Sequence, residues 1–393
     1  MKKNITLIIA FIIIITTSCK NESGKNSKLQ EIQSGIKNSK QLVLKIDSLT
    51  FPITRNIQYY QDELLNNFLI YNNAFNEEIL IFNIDSAKLV KRVKVEKSGP
   101  NGVGKFSSFY FHNFDSIFIT TYRNDYMIYL INSNAILLNK YTFDTKEFPR
   151  NSMIHFETYS PAIFVKNTLY LANSKYFSVL GRELLDYDSI TKIPQAIMVD
   201  VKQNVAKPTQ LKFPKLKFVG KDISAYMYYF FTYDGENFIY SFLSDNNLYY
   251  TSDFIVSKKT DVKSEYVINT SPIINNMNDH LELINWQKFF YNNNLYNAIV
   301  YDKYRNLYYR FVSIGIEQNE ENNYNETARF PYQLSIIVLD KNFKKVKEVL
   351  MPENRYYYYM YFVAAEGLYL ALNDSDSEDK ITFDILDLTK ETE

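Results

Sequence analysis

Short alternating apolar runs, repeated along most of the chain between clusters of turn residues, are the pattern that any fold of this sequence must satisfy. Residues 68–71 are followed by 79–85 and 89–95, and the same order returns as 116–120, 127–132 and 136–143. A third set comprises 168–171, 196–201 and 210–213, and a fourth centres on 237–241 with Asp234-Gly235 as the hairpin turn before it. A fifth runs through 306–310, 334–340 and 344–350, and a last one through 367–371 and 381–386. Period-two alternation in runs this short belongs to strands with one buried face, and the polar clusters between them to hairpin turns. Asp85, Asn132, Asp200, Asp340 and Asp387 each close the second strand of a set, where a side chain able to bond its own backbone favours a turn. The chain holds 34 Tyr and 29 Phe but 10 Gly. Aromatic side chains fit a pleated, half-buried surface, so composition and pattern agree.

Six such units cover residues 60–388, at irregular spacings of about 50 to 70 residues, longer than the ~40–45 of compact propeller blades. No long capped helical stripe interrupts them, although residues 281–290 read as one short turn of helix. Repeated antiparallel units without long helices predict an all-β, six-bladed β-propeller of four-stranded antiparallel blades. The run at 42–46 precedes the first unit and the last unit is incomplete, so the N-terminal strand is expected to close the last blade. Seven blades is the alternative, and a pair of two-sheet sandwiches comes third.

The N-terminus carries an address. Lys2 and Lys3 precede an apolar run over 5–15, broken by Thr6, and Thr16-Thr17-Ser18 then lead to Cys19, the chain's one cysteine. Positive, apolar, small is the order of a secretory signal, and the apolar run is shorter than the ~20 residues a spanning helix needs. The cysteine at the cleavage point resembles the lipobox of bacterial lipoproteins, which implies acylation of Cys19 and a membrane-anchored protein of the outer membrane. The expected divisions are a signal peptide at 1–18, a polar, flexible tether at 19–40 and the propeller at 41–393. Lys20-Asn21-Glu22 resembles the charged tags of surface lipoproteins; surface-exposed and periplasm-facing orientations both stay open. With Cys19 modified no thiol remains for a disulfide, a cysteine metal site or a nucleophile. Lys and Arg number 44 against 44 Asp and Glu, which argues against the strongly basic face that a nucleic-acid partner requires.

Gly99-Pro100-Asn101-Gly102-Val103-Gly104-Lys105 imitates a phosphate-binding loop, but that chemistry needs a Ser or Thr after the lysine and a helix start behind it. Phe106 follows instead, and then a strand-like stretch. The expectation is an inter-blade loop whose glycines, Gly99, Gly102 and Gly104, with Pro100 and Asn101, make a tight turn. Together with the lipobox and the following Asp115-Ser116-Ile117-Phe118-Ile119, this loop resembles a family of uncharacterised Bacteroidota-type β-propeller lipoproteins, a domain of unknown function. The resemblance implies the six-bladed fold and the envelope location and brings no catalytic residue with it.

Other chemistry is thinly marked. His112, His155 and His280 lack metal-ligand spacing, no G-x-S-x-G elbow exists, and no metal or other cofactor is expected. The 374–379 run (Asp-Ser-Asp-Ser-Glu-Asp) fails the calcium-loop pattern and reads as a hairpin tip. Residues 322–327 read as a surface loop. Arg355 opens a run of tyrosines in which Tyr356 and Tyr358 could stack on a ligand, while alternation would bury half of the run between blades. The expected role is binding or scaffolding in the cell envelope, with a glycan, peptide or envelope protein as partner. The alternative is a hydrolase or lyase acting on an extracellular polymer through carboxylates at the propeller mouth.

Overall fold

The computed structural model describes residues 39–122, 127–143, 156–173, 191–215, 229–267, 293–315, 333–373 and 378–389; Cys19, His155, His280 and the segments 281–290, 322–327 and 374–377 lie outside them. Strand β1 (Lys40–Lys45) comes first. Blade 1 then contains β2 (Ile57–Gln61), β3 (Asn67–Asn73), β4 (Glu78–Asn83) and β5 (Lys88–Lys94). Blade 2 is β6 (Phe106–Asn113), β7 (Ser116–Thr121), β8 (Met127–Ile131) and β9 (Leu137–Thr142). Blade 3 is β10 (Ile163–Val165), β11 (Thr168–Ala172), β12 (Ala196–Asp200) and β13 (Val205–Pro208). Blade 4 holds β14 (Tyr229–Tyr233), β15 (Phe238–Phe242), β16 (Asn247–Thr251) and β17 (Lys258–Asp261). Blade 5 holds β18 (Leu295–Asp302), β19 (Leu307–Ile314), β20 (Gln333–Leu339) and β21 (Lys345–Leu350). Blade 6 is completed by two parts of the chain: β22 (Tyr356–Ala364), β23 (Gly367–Leu372) and β24 (Lys380–Leu386) are joined by β1 as the outermost strand.

The result is a ring of six four-stranded antiparallel blades, as the repeats predict. Leu42 pairs with Phe383 and Leu44 with Ile381, so the run at 42–46 closes the last blade. Ring closure covers the sheet faces that the first and last blades of an open stack would expose. The core sits between neighbouring blades: one cluster joins blades 6 and 1 through Leu44, Tyr71 and Phe383, and another joins 1 and 2 through Ile81, Phe109 and Ile119. Each fully buried side chain of this size contributes ~1.5–3 kcal/mol of transfer free energy.

One sequence expectation shifts. The outer strand of blade 3 is β13 (Val205–Pro208), not 210–213; Lys212 makes only an isolated bridge to Pro194. Pairing decides this, because β12 ends in a turn held by Asp200 and the chain must return directly beside it. The second-strand turn residues behave alike with one exception. Asn132, Asp200, Asp340 and Asp387 accept bonds from backbone N–H groups two to four residues on. Asp85 instead accepts from the Asn67 side chain at 2.9 Å, and Asn83 holds its turn.

The two ends of the ring differ. Innermost strands begin at what we term the upper end. The lower end is closed by short turns such as 114–115, 166–167 and 365–366, whereas the strands that meet at the upper end, β9 and β10, β11 and β12, β17 and β18, are separated by about 20 residues of sequence or more. Loops free of sheet pairing are where ligand contacts are usually built.

Candidate functional site

The segment 156–160, part of the connection between blades 2 and 3, crosses the upper end of the axis. Thr158 N–H donates to the Arg55 carbonyl at 2.8 Å, and its hydroxyl accepts from Ile57 N–H at 2.9 Å, which ties the segment to blade 1. Phe156 N–H donates to the Ser108 hydroxyl of blade 2 at 2.9 Å. Tyr361 of blade 6 donates to the Thr158 carbonyl at 3.5 Å. The ring of Tyr159 meets Phe230 of blade 4 edge-on at 5.5 Å and packs against three of the inter-blade clusters. A bend at Glu157–Ser160, closed by backbone bonds in both directions, gives the segment its shape.

Beside this crossing lies a cavity of about 330 Å³ between blades 1 and 2. Its walls are Arg55, Asn56 and Asn72 of blade 1, Ser107, Ser108 and Tyr122 of blade 2, and Phe156 and Glu157 of the crossing segment. Strand ends set this placement, because Asn72 closes β3 while Ser107 and Ser108 open β6. Asn56 is spent on structure: its amide donates to the Phe109 carbonyl and accepts from the Phe109 N–H, at 3.1 and 2.8 Å. Ser108 shares a 2.5 Å bond with Thr120. Asn72 is 5% exposed; its Nδ2 donates to the Ser107 carbonyl at 2.8 Å, and its Oδ1 has no hydrogen-bond partner. A buried acceptor without a donor costs ~1–3 kcal/mol, and this one is sealed from the cavity, so the cost falls on the fold.

Electrostatics single out another lining residue. Burial pushes the half-buried Glu157 carboxyl up, against the opposing pull of Arg55 and a hydrogen bond to Tyr159. Tyr159 is pushed well above its usual range by burial and then by the Glu157 charge. The exposed Arg55 guanidinium also stands 5.9 Å over the Tyr359 ring, and Lys105 lies 4.9 Å over that of Tyr122. A perturbed carboxyl beside a cation in a cleft makes the cavity a candidate ligand site. Glu157 is the one carboxylate among the described lining residues.

A larger cleft of about 570 Å³ opens at the lower end between blades 6 and 1. Its polar groups bind one another: Tyr59 donates to Asn67 at 2.6 Å, Asn67 to Asp85 at 2.9 Å, Tyr369 to Glu366 at 2.8 Å, and Lys40 pairs with Glu366 at 2.8 Å. The smaller cavity is the better candidate, because it holds the perturbed acid beside Arg55.

The residues singled out in the sequence are scattered. Gly99, Pro100, Asn101, Gly102 and Gly104 lie between β5 and β6, joining blades 1 and 2, and Lys105 leads into a strand rather than a helix. Gly99 and Gly104 take φ of +92° and +94°, a region open to glycine at little cost. Asn101 accepts from Leu137 N–H of β9 at 3.1 Å, which fastens the loop to the outer edge of blade 2. Tyr356 and Tyr358 part company. Tyr356 is 4% exposed, and its hydroxyl donates to the buried Asp384 at 2.6 Å beside Arg355, so it belongs to the core rather than a stacking surface. Tyr358 is half-buried near Tyr159 on the axis. His112 is half-buried with its ring 4.3 Å from that of Phe164, and burial lowers its pKa. Among the described residues no group of three His, Cys, Asp or Glu side chains is placed to hold a metal ion. The sequence reading passed over Glu157, Asn72 and Tyr122. Its available signal was Phe156 and Tyr159, two aromatics outside any alternating run and followed by Pro161.

A family model described as a domain of unknown function, DUF4221, matches residues 33–350, which end with β21. No protein among the curated ones matches the chain. A crystal structure of a DUF4221 member from Bacteroides vulgatus is similar with a TM-score of 0.77 and 23% identity, over 88% of this chain and 96% of that one. A Bacteroides fragilis protein, named as a candidate exported protein, is similar with a TM-score of 0.51 and 12% identity, over 89% and 95% of the two chains. At these identities the likeness is one of fold.

Proposed function

We propose a ligand-binding role in the cell envelope from the premise that the chain belongs to the DUF4221 family, whose function is unassigned. In this reading the protein is an exported lipoprotein held in the outer membrane through Cys19, and the upper cavity receives part of a glycan, a peptide or an envelope protein. The observation that carries the binding role is a single perturbed carboxyl, Glu157, standing with Arg55 in one polar cleft. Hydrolysis of a glycosidic bond by two carboxyl groups needs the second within about 5–10 Å, and the described lining supplies one. Binding therefore stands ahead of hydrolysis or lysis. The export reading is supported by the similarity to the candidate exported protein and by the leader pattern of residues 1–19. β1 begins at the lower end with Lys40, so the tether joins the ring opposite the cavity, an arrangement suited to a mouth that faces away from the bilayer.

The test uses the full-length chain in detergent, incubated with polysaccharide fragments and peptides while thermal stability and product release are recorded together. A ligand at a hundredfold excess over its Kd raises stability by ~2.7 kcal/mol. A rise without products is the expected result; products would replace binding with catalysis. In cells, Cys19→Ala should move the protein from the membrane to the soluble fraction and abolish palmitate labelling. Unchanged fractionation would remove the anchor from this reading.

A further inference from the structure

We infer that the upper end beside blade 1 is a docking surface for an acidic protein segment with apolar anchors, received by Leu49, Phe51 and Phe75. This deepens the binding reading above and rests on it, naming one partner class among those it allows. Two loops make the surface, the stretch 46–56 from β1 to β2 and the turn from β3 to β4. Asn73 and Asn76 both donate to the Leu49 carbonyl, Asn73 at 2.9 Å, and Tyr71 donates to the Phe51 carbonyl at 2.7 Å. Stitched this way, the loops leave Leu49, Phe51 and Phe75 60%, 58% and 87% exposed. Phe75 is the most exposed large apolar side chain among the described residues, while Asn73, which makes the stitch, is buried. A lone exposed apolar side chain needs no explanation, whereas three held on bonded loops form a patch of the kind that marks an interaction site.

Charge selects the partner. Lys94 and Lys97, each 63% exposed, flank the β3–β4 turn, and the carboxylates they pair with, Glu78 and Glu77, are 14% and 8% exposed. Arg55 and Lys105, both exposed, stand where the turn borders the upper cavity, whose lining includes Ala74 and Tyr122. Here the acids are turned inward and the cations outward, so solvent meets a basic rim. Against it stand Glu96 and Asp47, the latter paired with Arg92. An acidic segment with aromatic or branched side chains matches both features, apolar anchors on the patch and carboxylates on the rim. A second copy of this chain would bring the same basic rim against itself across a two-fold axis. In the reading above the bilayer lies at the opposite end, where β1 begins.

The test uses the full-length chain in nanodiscs of zwitterionic lipid, which leave the patch free of detergent. Short peptides are selected on it from a random phage-displayed library, and the enriched ones are synthesised and titrated by fluorescence anisotropy. Enriched sequences should combine Asp or Glu with Phe, Trp, Leu or Ile. Phe75→Ser should weaken their binding at least about tenfold and leave the melting temperature unchanged; Phe51→Ser is the second probe should that variant misfold. Lys94→Gln keeps a donor for the Asn76 carbonyl, and combined with Lys105→Gln it should weaken binding more at low salt than at high salt. Basic or uncharged binders that depend on Phe75 would overturn the acidic assignment and leave the binding role intact. Binders indifferent to both Phe variants would overturn the docking surface, and loss of their binding in Tyr122→Ala would return the role to the cavity. Self-association, or flotation with phosphatidylglycerol vesicles, abolished by Phe75→Ser would replace the partner by a second copy or by a membrane. No peptide enriched over blank nanodiscs would overturn the inference, and the polysaccharide screen above then decides alone whether the binding role stands.

Discussion

Burial of single ionisable side chains is where this fold spends most on polar chemistry. Arg310 is fully buried, and its hydrogen-bond partners among the described residues include no carboxylate. All five of its N–H directions are taken, by the Ser241 hydroxyl and the carbonyls of Asp245, Asn246, Asn247 and Val262, and its guanidinium lies 3.4 Å from the Tyr296 ring centroid. It staples blade 5 to the upper turn of blade 4, and burial draws its pKa down to about 10, still charged at neutral pH. Glu157 is the contrasting case, a carboxyl whose fold disfavours its charge. Its folded pKa lies above the ordinary 4.5, so the folded state holds the proton more tightly than the unfolded chain does. The stability it contributes is therefore present below pH 4.5 and is lost as pH rises through the folded value. Glu157→Gln should raise the melting temperature at pH 8 relative to the parent, and the difference should shrink toward pH 4. Arg55 and Tyr159 face this group and are common to both proteins, so the comparison isolates the carboxyl. A difference that does not vary with pH would show that Glu157 titrates normally.

Strands contribute a device that alternation alone does not reveal. The edge of β6 that faces blade 1 is met by side-chain amides from the start of blade 1. Asn56 pairs with the N–H and carbonyl of Phe109, and Gln58 with those of Phe111, at 2.8 and 2.6 Å. Two amides two residues apart thus imitate a neighbouring strand, blunting an edge that would otherwise bury unpaired backbone groups. Gln58→Leu should cost about 2 kcal/mol in urea unfolding, since both Phe111 groups lose their partner. A change below about 0.5 kcal/mol, within the range of ordinary surface substitutions, would mean that water replaces the amide. The strands themselves were legible. Runs such as 79–85 and 334–340 fall on β4 and β20, whose apolar side chains are buried on both faces, between neighbouring blades. The amide ladder was not, because Asn56 and Gln58 acquire their partners 53 residues away. The same distance in sequence hid the cavity: Asn72, Tyr122 and Glu157 belong to three separate stretches and meet only when blades 1 and 2 stand side by side.

At the scale of the whole molecule, stability depends on one clasp. β1 contributes Leu42 and Leu44 to the core between blades 6 and 1, and its Gln41 side chain donates to the buried Asp384 at 2.9 Å. Leu44→Asp places a charge where the side chain is fully buried. It should cost at least ~3 kcal/mol by losing the leucine and stranding a carboxylate, and the loss should appear across the ring as a lower urea midpoint reported by probes in blades 1 and 6 alike. A midpoint lowered only for probes in blade 6 would show that the clasp acts locally. The sequence by itself determined the strands, their number in groups and the need for closure, because short apolar runs and turn chemistry are local, and a solitary strand before the first repeat has one vacant place to go. The tertiary structure alone decided which residues share the upper cavity, that Tyr356 is core while Tyr122 faces outward, and that segment 156–160 crosses the axis. These follow from how neighbouring blades dock, a set of contacts between distant residues that no local period encodes.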